Sequence, residues 1–267
     1  MTVILAVDAA WTINEPSGVA LVAKKDGVWR ALCVAPSYDA FVSCSGYTAI
    51  DWEAGNFLGS MPDFHLLLAA ARTMSSTVVD LIVVDMPLST VPIAGRRVAD
   101  NSISLSFGAF GCATHSPTSE RPGRLSADVV RQLHNPGFPL ATLADNCGTL
   151  RRVIETYPHP ALLKLLRCDY RVPYKVSKSR RYWPNMDIRA RIKMLLAEFT
   201  RIYQALSKTF GDSGLDLPCA SKVQTLAALK RYEDALDALV CAWVGVMYVE
   251  ERARPYGDSR AAIWVPI

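Results

Sequence analysis

Carboxylates that end or interrupt apolar segments are the side chains of this sequence whose positions point most directly to chemistry. Asp8 ends a short apolar run near the N-terminus, and Asp85 ends a second one. Glu155 lies in a third β-rich segment, and Asp237 follows Asp234 by three residues in a long apolar stretch near the C-terminus. Asp8 and Asp85 are expected at one edge of a sheet, where ligands bind in open α/β folds. Asp234 and Asp237 are expected on one face of a helix.

Carboxylates that are brought together in a protein interior repel one another unless a positive charge neutralises them. A divalent metal ion is an economical solution. Mg²⁺ prefers oxygen ligands, and two such ions about 3.5–4 Å apart can promote an in-line phosphoryl displacement. The order of the acids along the chain therefore indicates a magnesium site, with Glu155 as a possible fourth ligand.

Each of these acids also has an ordinary structural interpretation. An aspartate at the end of a strand, such as Asp8 or Asp85, is often only a turn former. Asp234 can cap the last helix, with Asp237 at the third helical position of a capping-box-like pair. Glu155 can simply pair with one of the two arginines that precede it.

A strongly basic segment spans residues 164–193, which hold ten Lys or Arg and two Asp, a net charge of +8. The whole chain carries only +4, so the remaining residues are net acidic. Basic groups suit phosphates, and interleaved aromatic rings suit bases. The alternatives are a solvated basic loop and a site for a nucleotide or polyphosphate. The candidate nucleic-acid-binding residues are Lys175, Lys178, Arg180, Arg181, Trp183 and Arg189.

The loop between the second acid and the next helix offers further cleft residues. Arg96, Arg97, Asp100 and the pair His115-Ser116 could line the same cleft, although ordinary loop polarity explains each of them more simply. His159 is expected to cap its helix rather than to act as a base.

Hydrophobic periodicity predicts an α/β fold in one domain spanning 1–267, with insertions at about 89–150 and 164–230. The first three strands should form an antiparallel meander, because a Lys-Asp-Gly turn separates the second from the third. A strand–helix–strand order after them suggests a parallel crossover. Strands are predicted at 3–8, 18–24, 28–35, within 77–89 and at 151–157, helices at 62–76, 126–134, 140–150, from 159, 186–208 and 234–251, and a long loop at 89–125.

The composition excludes several classes of protein. Half of the 267 residues are hydrophobic, which excludes intrinsic disorder. The longest uncharged apolar run, 238–249, is shorter than a membrane span. The first residues lack a basic leader, and the seven scattered cysteines form no disulfide or zinc pattern. We therefore expect a cytoplasmic protein without a membrane partner; the sequence does not reveal its oligomeric state.

Several short strings resemble those of an uncharacterised family of domains described as predicted nucleases of the ribonuclease H fold. They are VDAAW (7–11), SGVAL (17–21), VVDMPLS (83–89), ETYPHPAL (155–162), YK (174–175) and EDALDALVCAW (233–243). The last string also resembles the terminal helix of RuvC-type Holliday-junction resolvases. The resemblance covers nearly the whole chain, in the right order. One departure is Asp85, since many ribonuclease H-like nucleases have Glu as the second acid.

The resemblance implies a ribonuclease H-like mixed sheet with a closing helix, and Mg²⁺ or Mn²⁺ held by Asp8, Asp85 and Asp237, with Asp234 or Glu155. It also implies that Lys175 steadies a scissile phosphate. The leading hypothesis is a metal-dependent nuclease. The alternatives are a non-catalytic nucleic-acid-binding or regulatory module on the same scaffold, and a small-molecule phosphotransferase or hydrolase.

Overall fold

A mixed β-sheet with helices on both faces forms the centre of the protein in a computed structural model that describes residues 1–53 and 57–267. In these two stretches the chain forms seven strands and eight α-helices. The strands are β1 (Thr2–Asp8), β2 (Gly18–Lys25), β3 (Val28–Ala35), β4 (Leu81–Val84), β5 (Arg152–Thr156), β6 (Ala253–Gly257) and β7 (Ala262–Pro266). The helices are α1 (Tyr38–Cys44), α2 (Phe64–Ser75), α3 (Val98–Phe107), α4 (Arg124–His134), α5 (Pro158–Leu166), α6 (Ser179–Tyr182), α7 (Ile188–Phe210) and α8 (Lys230–Val249).

The strand order in the sheet is β3-β2-β1-β4-β5-β7-β6. The strands β1, β2 and β3 form an antiparallel meander, whereas β4 and β5 run parallel to β1. Val7 pairs with Val84, and Val84 pairs with Glu155, so β1, β4 and β5 end at the same edge. We call this edge the carboxyl edge. The predicted α/β class, the meander and the parallel crossover are confirmed.

Alternating side chains of the central strands supply two separate cores. Ile4 and Ala6 of β1 pack on the face that is covered by α5, α7 and α8. Val3 and Leu5 point to the opposite face, which is covered by α1, α2 and α4. Both faces are buried because the strand is apolar throughout, as expected for a strand in the middle of a sheet.

Two glycines allow α8 to lie unusually close to the sheet. A Cβ atom on Gly18 of β2 would lie 2.0 Å from the backbone oxygen of Asp234. Near the other end of α8, a Cβ on Gly245 would lie 2.8 Å from a side-chain carbon of Val83 and 2.9 Å from one of Ile4. A larger residue would require a shift of the backbone at Gly18 and a shift of the Val83 and Ile4 side chains at Gly245. These contacts set the height of α8, and with it the acids that α8 carries, above the carboxyl edge.

Local sequence signals explain several boundaries of these elements. Asp26 and Gly27 join β2 to β3, and both have positive φ, as a two-residue type I′ hairpin requires. Asp63 caps α2 by accepting hydrogen bonds from the two backbone amides of His65 and Leu66, at 2.9 and 3.1 Å. These turn and cap residues end the strands and start the helix where the sequence pattern predicts.

The structure corrects the sequence prediction in two segments. The helix predicted at 140–150 is wrong: the segment forms turns, in which the Asp145 carboxylate accepts hydrogen bonds from the Thr142 amide at 2.9 Å and from Arg152 at 3.0 Å. The loop predicted at 89–125 is partly wrong, because α3 occupies its middle. A carboxylate at the third position of α3, Asp100, accepts from the backbone amide of Arg97 at 2.9 Å and starts the helix.

The sequence analysis did not predict the strands β6 and β7 or the helix α1. The strands β6 and β7 extend the sheet beyond β5, and β6 is an edge strand that contains Pro255. Proline is tolerated in a sheet mainly at such an edge, so this run did not have the pattern of a strand. The short helix α1, capped by Ser37, was also missed. Among the described residues, no helix combines the length and the apolar character that crossing a membrane requires.

Candidate active site

A cleft opens at the carboxyl edge of the sheet. It consists of two contiguous cavities of about 360 and 620 Å³, which share Trp11, Asp85, His115, Lys175 and Lys230 as wall residues. The position agrees with the general rule that open α/β sheets bind ligands outside the carboxyl ends of their strands. The cleft is therefore the candidate active site.

Asp8 and Asp85 stand side by side at the floor of this cleft. Asp8 is the last residue of β1, and Asp85 follows β4, with its amide donating to the Val7 carbonyl at 2.9 Å. Both side chains are half-buried, and no cation of the described residues lies within 4 Å of either carboxylate. Burial, followed by the nearby Asp237, raises the pKa of Asp8 to about 7. Burial, followed by Asp8, raises the pKa of Asp85 well above its usual value.

Asp237 has a different environment, because both its oxygens are engaged. The Tyr174 hydroxyl donates to one oxygen at 2.6 Å, and the Lys175 ammonium donates to the other. Asp237 is completely buried. Burial alone would lower the pKa of Lys175, but Asp237, Tyr174 and Glu233 together hold it well above the usual value. Lys175 is therefore a fixed positive charge that lines both cavities beside the acids.

Asp234 combines an ion pair with a free oxygen. Lys230, one helical turn earlier, pairs with one oxygen of Asp234 and lies 3.2 Å from Glu233. The second oxygen, Oδ2, is buried and accepts no hydrogen bond from any described residue. Burial raises the pKa of Asp234 well above its usual value, although Lys230 opposes the shift. The proposed capping role is wrong, since α8 begins four residues earlier, at Lys230.

Glu155 belongs to a buried ion-pair cluster on the wall of the cleft. The Arg97 guanidinium donates to its two oxygens, each at 2.7 Å, and the Leu88 amide donates to one of them at 2.8 Å. The same guanidinium holds Asp100 at 2.8 Å. Both oxygens of Glu155 therefore have hydrogen-bond donors within the protein. The sequence analysis expected one of the two preceding arginines as the ion-pair partner, whereas the partner in the structure is Arg97.

The basic candidates divide into two groups. Lys175 and Lys178 line the cleft. The other four do not line the described cleft. Arg180 and Arg181 lie on α6, Trp183 directly follows α6, and Arg189 lies in the first turn of α7. The three arginines are exposed, and Trp183 is half-buried against the core. The structure thus places a basic surface segment next to a cleft that two of its lysines enter.

Two cations of the cleft were not selected as site residues from the sequence. Arg171 and Arg121 both line it. Arg171 precedes Lys175 by four residues in a segment without helical structure, and such even spacing places side chains on one side of an extended chain. That spacing was the available signal for Arg171, whereas nothing in the local sequence distinguishes Arg121.

The loop residues near the cleft fall into similar groups. Arg97 and Asp100 line the smaller cavity, Ser116 lines the larger one, and His115 lines both. Arg96 instead holds the loop in place, donating to the Ser116 hydroxyl at 3.0 Å.

His159 does not cap α5, because it lies inside the helix and Tyr157 occupies the cap position. Its imidazole Nε2 lies 2.6 Å from the Arg171 guanidinium. Burial, followed by Arg171, lowers the pKa of His159 well below its usual value. The ring is therefore a neutral support for an arginine of the cleft.

The oxygen donors of the cleft fit a hard divalent cation in type. They do not form a closed cage, since the described residues contain no group of three or more His, Cys, Asp or Glu that could hold a metal ion. Mg²⁺ usually takes only one or two protein carboxylates and completes its shell with water and substrate phosphates. Asp8 and Asp85 meet that lower requirement, and the free Oδ2 of Asp234 is an additional buried acceptor in the same cleft.

Comparison with known proteins places the chain in a family without assigning it an activity. Searches of curated proteins and of solved structures found no match. A family model described as a protein of unknown function, DUF429, matches residues 7–261. The match spans nearly all of the 267 residues and includes every acid described above. The chain therefore belongs to the DUF429 family.

Proposed function

We propose that the protein is a metal-dependent nuclease, which hydrolyses phosphodiester bonds in nucleic acid on a ribonuclease H-like scaffold. The observation that carries the proposal is the pair Asp8 and Asp85, which end neighbouring parallel strands at the floor of the cleft with no cation of the described residues within 4 Å of either carboxylate. Two half-buried carboxylates with raised pKa values are poorly stabilised as they stand, and a bound cation would relieve their repulsion.

The scaffold supports the same proposal. An antiparallel meander, followed by parallel strands and a long helix packed across them, is compatible with a ribonuclease H-like arrangement. The helix α8 brings Asp234 and Asp237 to the edge that carries Asp8 and Asp85. This order of acids is the one that the resemblance to predicted nucleases implies.

Each cleft residue has a distinct role in this proposal. Asp8 and Asp85 hold Mg²⁺ or Mn²⁺, with Asp234 as the further acceptor. When bound, such an ion activates water and stabilises the leaving oxygen. Lys175 binds a phosphate oxygen of the substrate, because its ammonium is charged and faces the cleft. Asp237 is a positioning residue, since it orients Lys175 and has no oxygen without a donor.

The surface beside the cleft supports nucleic acid as the substrate. Lys178 lines the cleft, and the exposed Arg180, Arg181 and Arg189 continue the positive charge along the surface. Phosphate contacts of this kind supply sequence-independent affinity. A ring such as that of Trp183 can add stacking on a base.

The experiment is cleavage of a panel of nucleic acids by the purified protein with Mg²⁺, with Mn²⁺ and with EDTA. Single-stranded, duplex, hybrid and branched substrates are included. We expect metal-dependent cleavage that falls at least about 100-fold in Asp8→Asn and Asp85→Asn, because each removes a metal ligand. The matched control is Asp128→Asn, which alters a half-buried carboxylate outside the cleft. Absence of cleavage of every substrate, or equal cleavage by Asp8→Asn and the control, would contradict the proposal.

A second function has an observation of its own in its favour. Lys175, Lys230 and Arg97 already neutralise Asp237, Asp234 and Glu155, so much of the cleft is balanced by the chain's own cations. This arrangement favours a non-catalytic nucleic-acid-binding or regulatory module. It predicts salt-sensitive binding without cleavage, and binding that survives Asp8→Asn.

The size of the smaller cavity is compatible with a third function, that of a small-molecule phosphotransferase or hydrolase, which the same experiment can test. At about 360 Å³ it falls within the range of small-molecule sites, about 300–1,000 Å³. Nucleoside mono-, di- and triphosphates therefore belong in the panel. Hydrolysis or phosphoryl transfer with these alone would identify a small-molecule enzyme.

A further inference from the structure

Three cations on the wall of the cleft lack a carboxylate partner. Arg121, Arg171 and Lys178 line the cleft, and no carboxylate of the described residues lies within 4 Å of any of their charged groups. The other cations that line the described cleft, Lys175, Lys230 and Arg97, are all paired with acids. We refer to Arg121, Arg171 and Lys178 as the cation wall.

The members of the cation wall converge on one place. Burial lowers the pKa of His115, and Lys178, Arg171 and Arg121 lower it further through their charges. The three cations come from two segments that are distant in the sequence, yet all act on this one ring. A cluster of like charges of this kind is costly unless an anion binds to it.

Arg171 is held in place by groups that leave its charge intact. Its guanidinium lies 2.6 Å from the imidazole of the neutral His159, and it donates to the Gly111 carbonyl at 3.4 Å. The facing loop is also fixed, because Arg96 donates to the Thr114 carbonyl at 3.3 Å and to the Ser116 hydroxyl at 3.0 Å. Arg171 is thus a fixed member of the cation wall, and its positive charge has no carboxylate partner among the described residues.

An aromatic side chain stands in the same cleft. Trp11 is half-buried and lines both cavities, together with Asp85 and Lys178. An indole face beside cations suits a base next to a phosphate, and such stacking requires a base that is not paired in a duplex.

We propose that the cation wall is a second phosphate-binding subsite, which takes the phosphate of the nucleotide next to the scissile one, with an unpaired base on Trp11. The cleft therefore selects single-stranded nucleic acid. The inference rests on the proposed function only for the position of the scissile phosphate; binding to the cation wall requires neither metal nor cleavage.

The test is equilibrium binding without added metal, in wild type and in an Asp8→Asn background, over a series of salt concentrations. The probes are a fluorescent five-nucleotide single strand and a duplex of the same sequence. We expect the single strand to bind at least about tenfold more tightly than the duplex. Arg171→Gln should weaken its binding by about 10- to 100-fold, the effect of one charged hydrogen-bonding contact.

Two further variants separate binding from folding. Lys178→Gln alters an exposed side chain that makes no hydrogen bond or ion pair with the described residues, so it should leave the fold intact. It should reduce the slope of log Kd against log salt by about 0.7. Arg72→Gln is the matched control, since Arg72 is an exposed arginine on α2 that does not line the described cleft, and it should change affinity less than about threefold.

The outcomes distinguish this inference from the proposed function. Binding that depends on Arg171 in a protein that cleaves nothing would uphold the subsite and reject the nuclease. Cleavage that Arg171→Gln and the control Arg72→Gln affect equally would uphold the nuclease and overturn the subsite. Equal affinity for duplex and single strand, or no binding in either background, would also overturn it.

Discussion

Replacing the buried Arg97 side chain with methionine isolates what its ion-pair cluster contributes to stability. All five N–H groups of the guanidinium donate, over 2.6–3.0 Å, to Glu155, Asp100 and the Leu88 carbonyl. Glu155 and Asp100 are 2% and 1% exposed. In Arg97→Met both carboxylates lose the one cation that the described residues place within 4 Å of them.

The structure sets the size of this effect. Loss of one partner from a buried ion pair costs about 3–5 kcal/mol of unfolding free energy. At about 2–4 °C per kcal/mol for a domain of this size, the melting temperature should fall by roughly 6–20 °C. Arg97→Lys keeps the charge but only three donors, so it should lose less, about 1–3 kcal/mol.

Urea denaturation followed by circular dichroism measures these changes. The matched control is Arg131→Met, because Arg131 pairs with Asp128 at 2.7 Å but is 72% exposed. Exposed pairs contribute less than about 1 kcal/mol. If Arg97→Met loses no more stability than Arg131→Met, then the cluster does not hold the wall of the cleft, and Glu155 becomes available again as a metal ligand.

Three further predictions concern other parts of the molecule. Asp8→Asn should stabilise the metal-free protein by about 1–2 kcal/mol at pH 8 in urea denaturation with EDTA, because it removes one of several repelling charges; an unchanged or lower stability contradicts this. Gly18→Ala should cost about 1–3 kcal/mol or more through collision with the backbone of α8, whereas Gly95→Ala, with open space around it, should change the melting temperature little. The interaction with the neighbouring Cys33 thiol lowers the pKa of Cys44 to about 7, so alkylation of Cys44, followed by mass spectrometry, should increase through pH 7. In Cys33→Ala this midpoint should move to higher pH, and an unmoved midpoint would reject the explanation.

The part of the site that lies on strand ends could be predicted from the sequence. Asp8 and Asp85 each follow an apolar run long enough to be a buried strand, and β-branched runs of this kind have few alternatives. Once the two strands are parallel neighbours, their carboxyl ends meet at one edge. The placement of these two acids therefore needed only local pattern and the parallel crossover.

The partners of the acids could not be predicted in the same way. Asp237 binds Lys175, 62 residues away, and Glu155 binds Arg97, 58 residues away. Both lysine and arginine side chains are long and occur often in the sequence, so spacing along the chain does not select among them. Their pairing depends on the path of segments without periodicity, which only the packed structure defines.

The two glycine contacts of α8 also determine which parts of the cleft can move. They lie at Asp234 and Gly245, eleven residues apart along the helix and so about 16 Å apart. A helix that packs this closely at two points cannot slide or tilt without colliding with the backbone at Gly18 or with the Val83 and Ile4 side chains at Gly245. Adjustment to a ligand therefore falls to the loops at 9–17 and 117–121, which lie outside these fixed contacts. In hydrogen exchange, the amides of α8 should open only with global unfolding, while those of the loops respond to ligand.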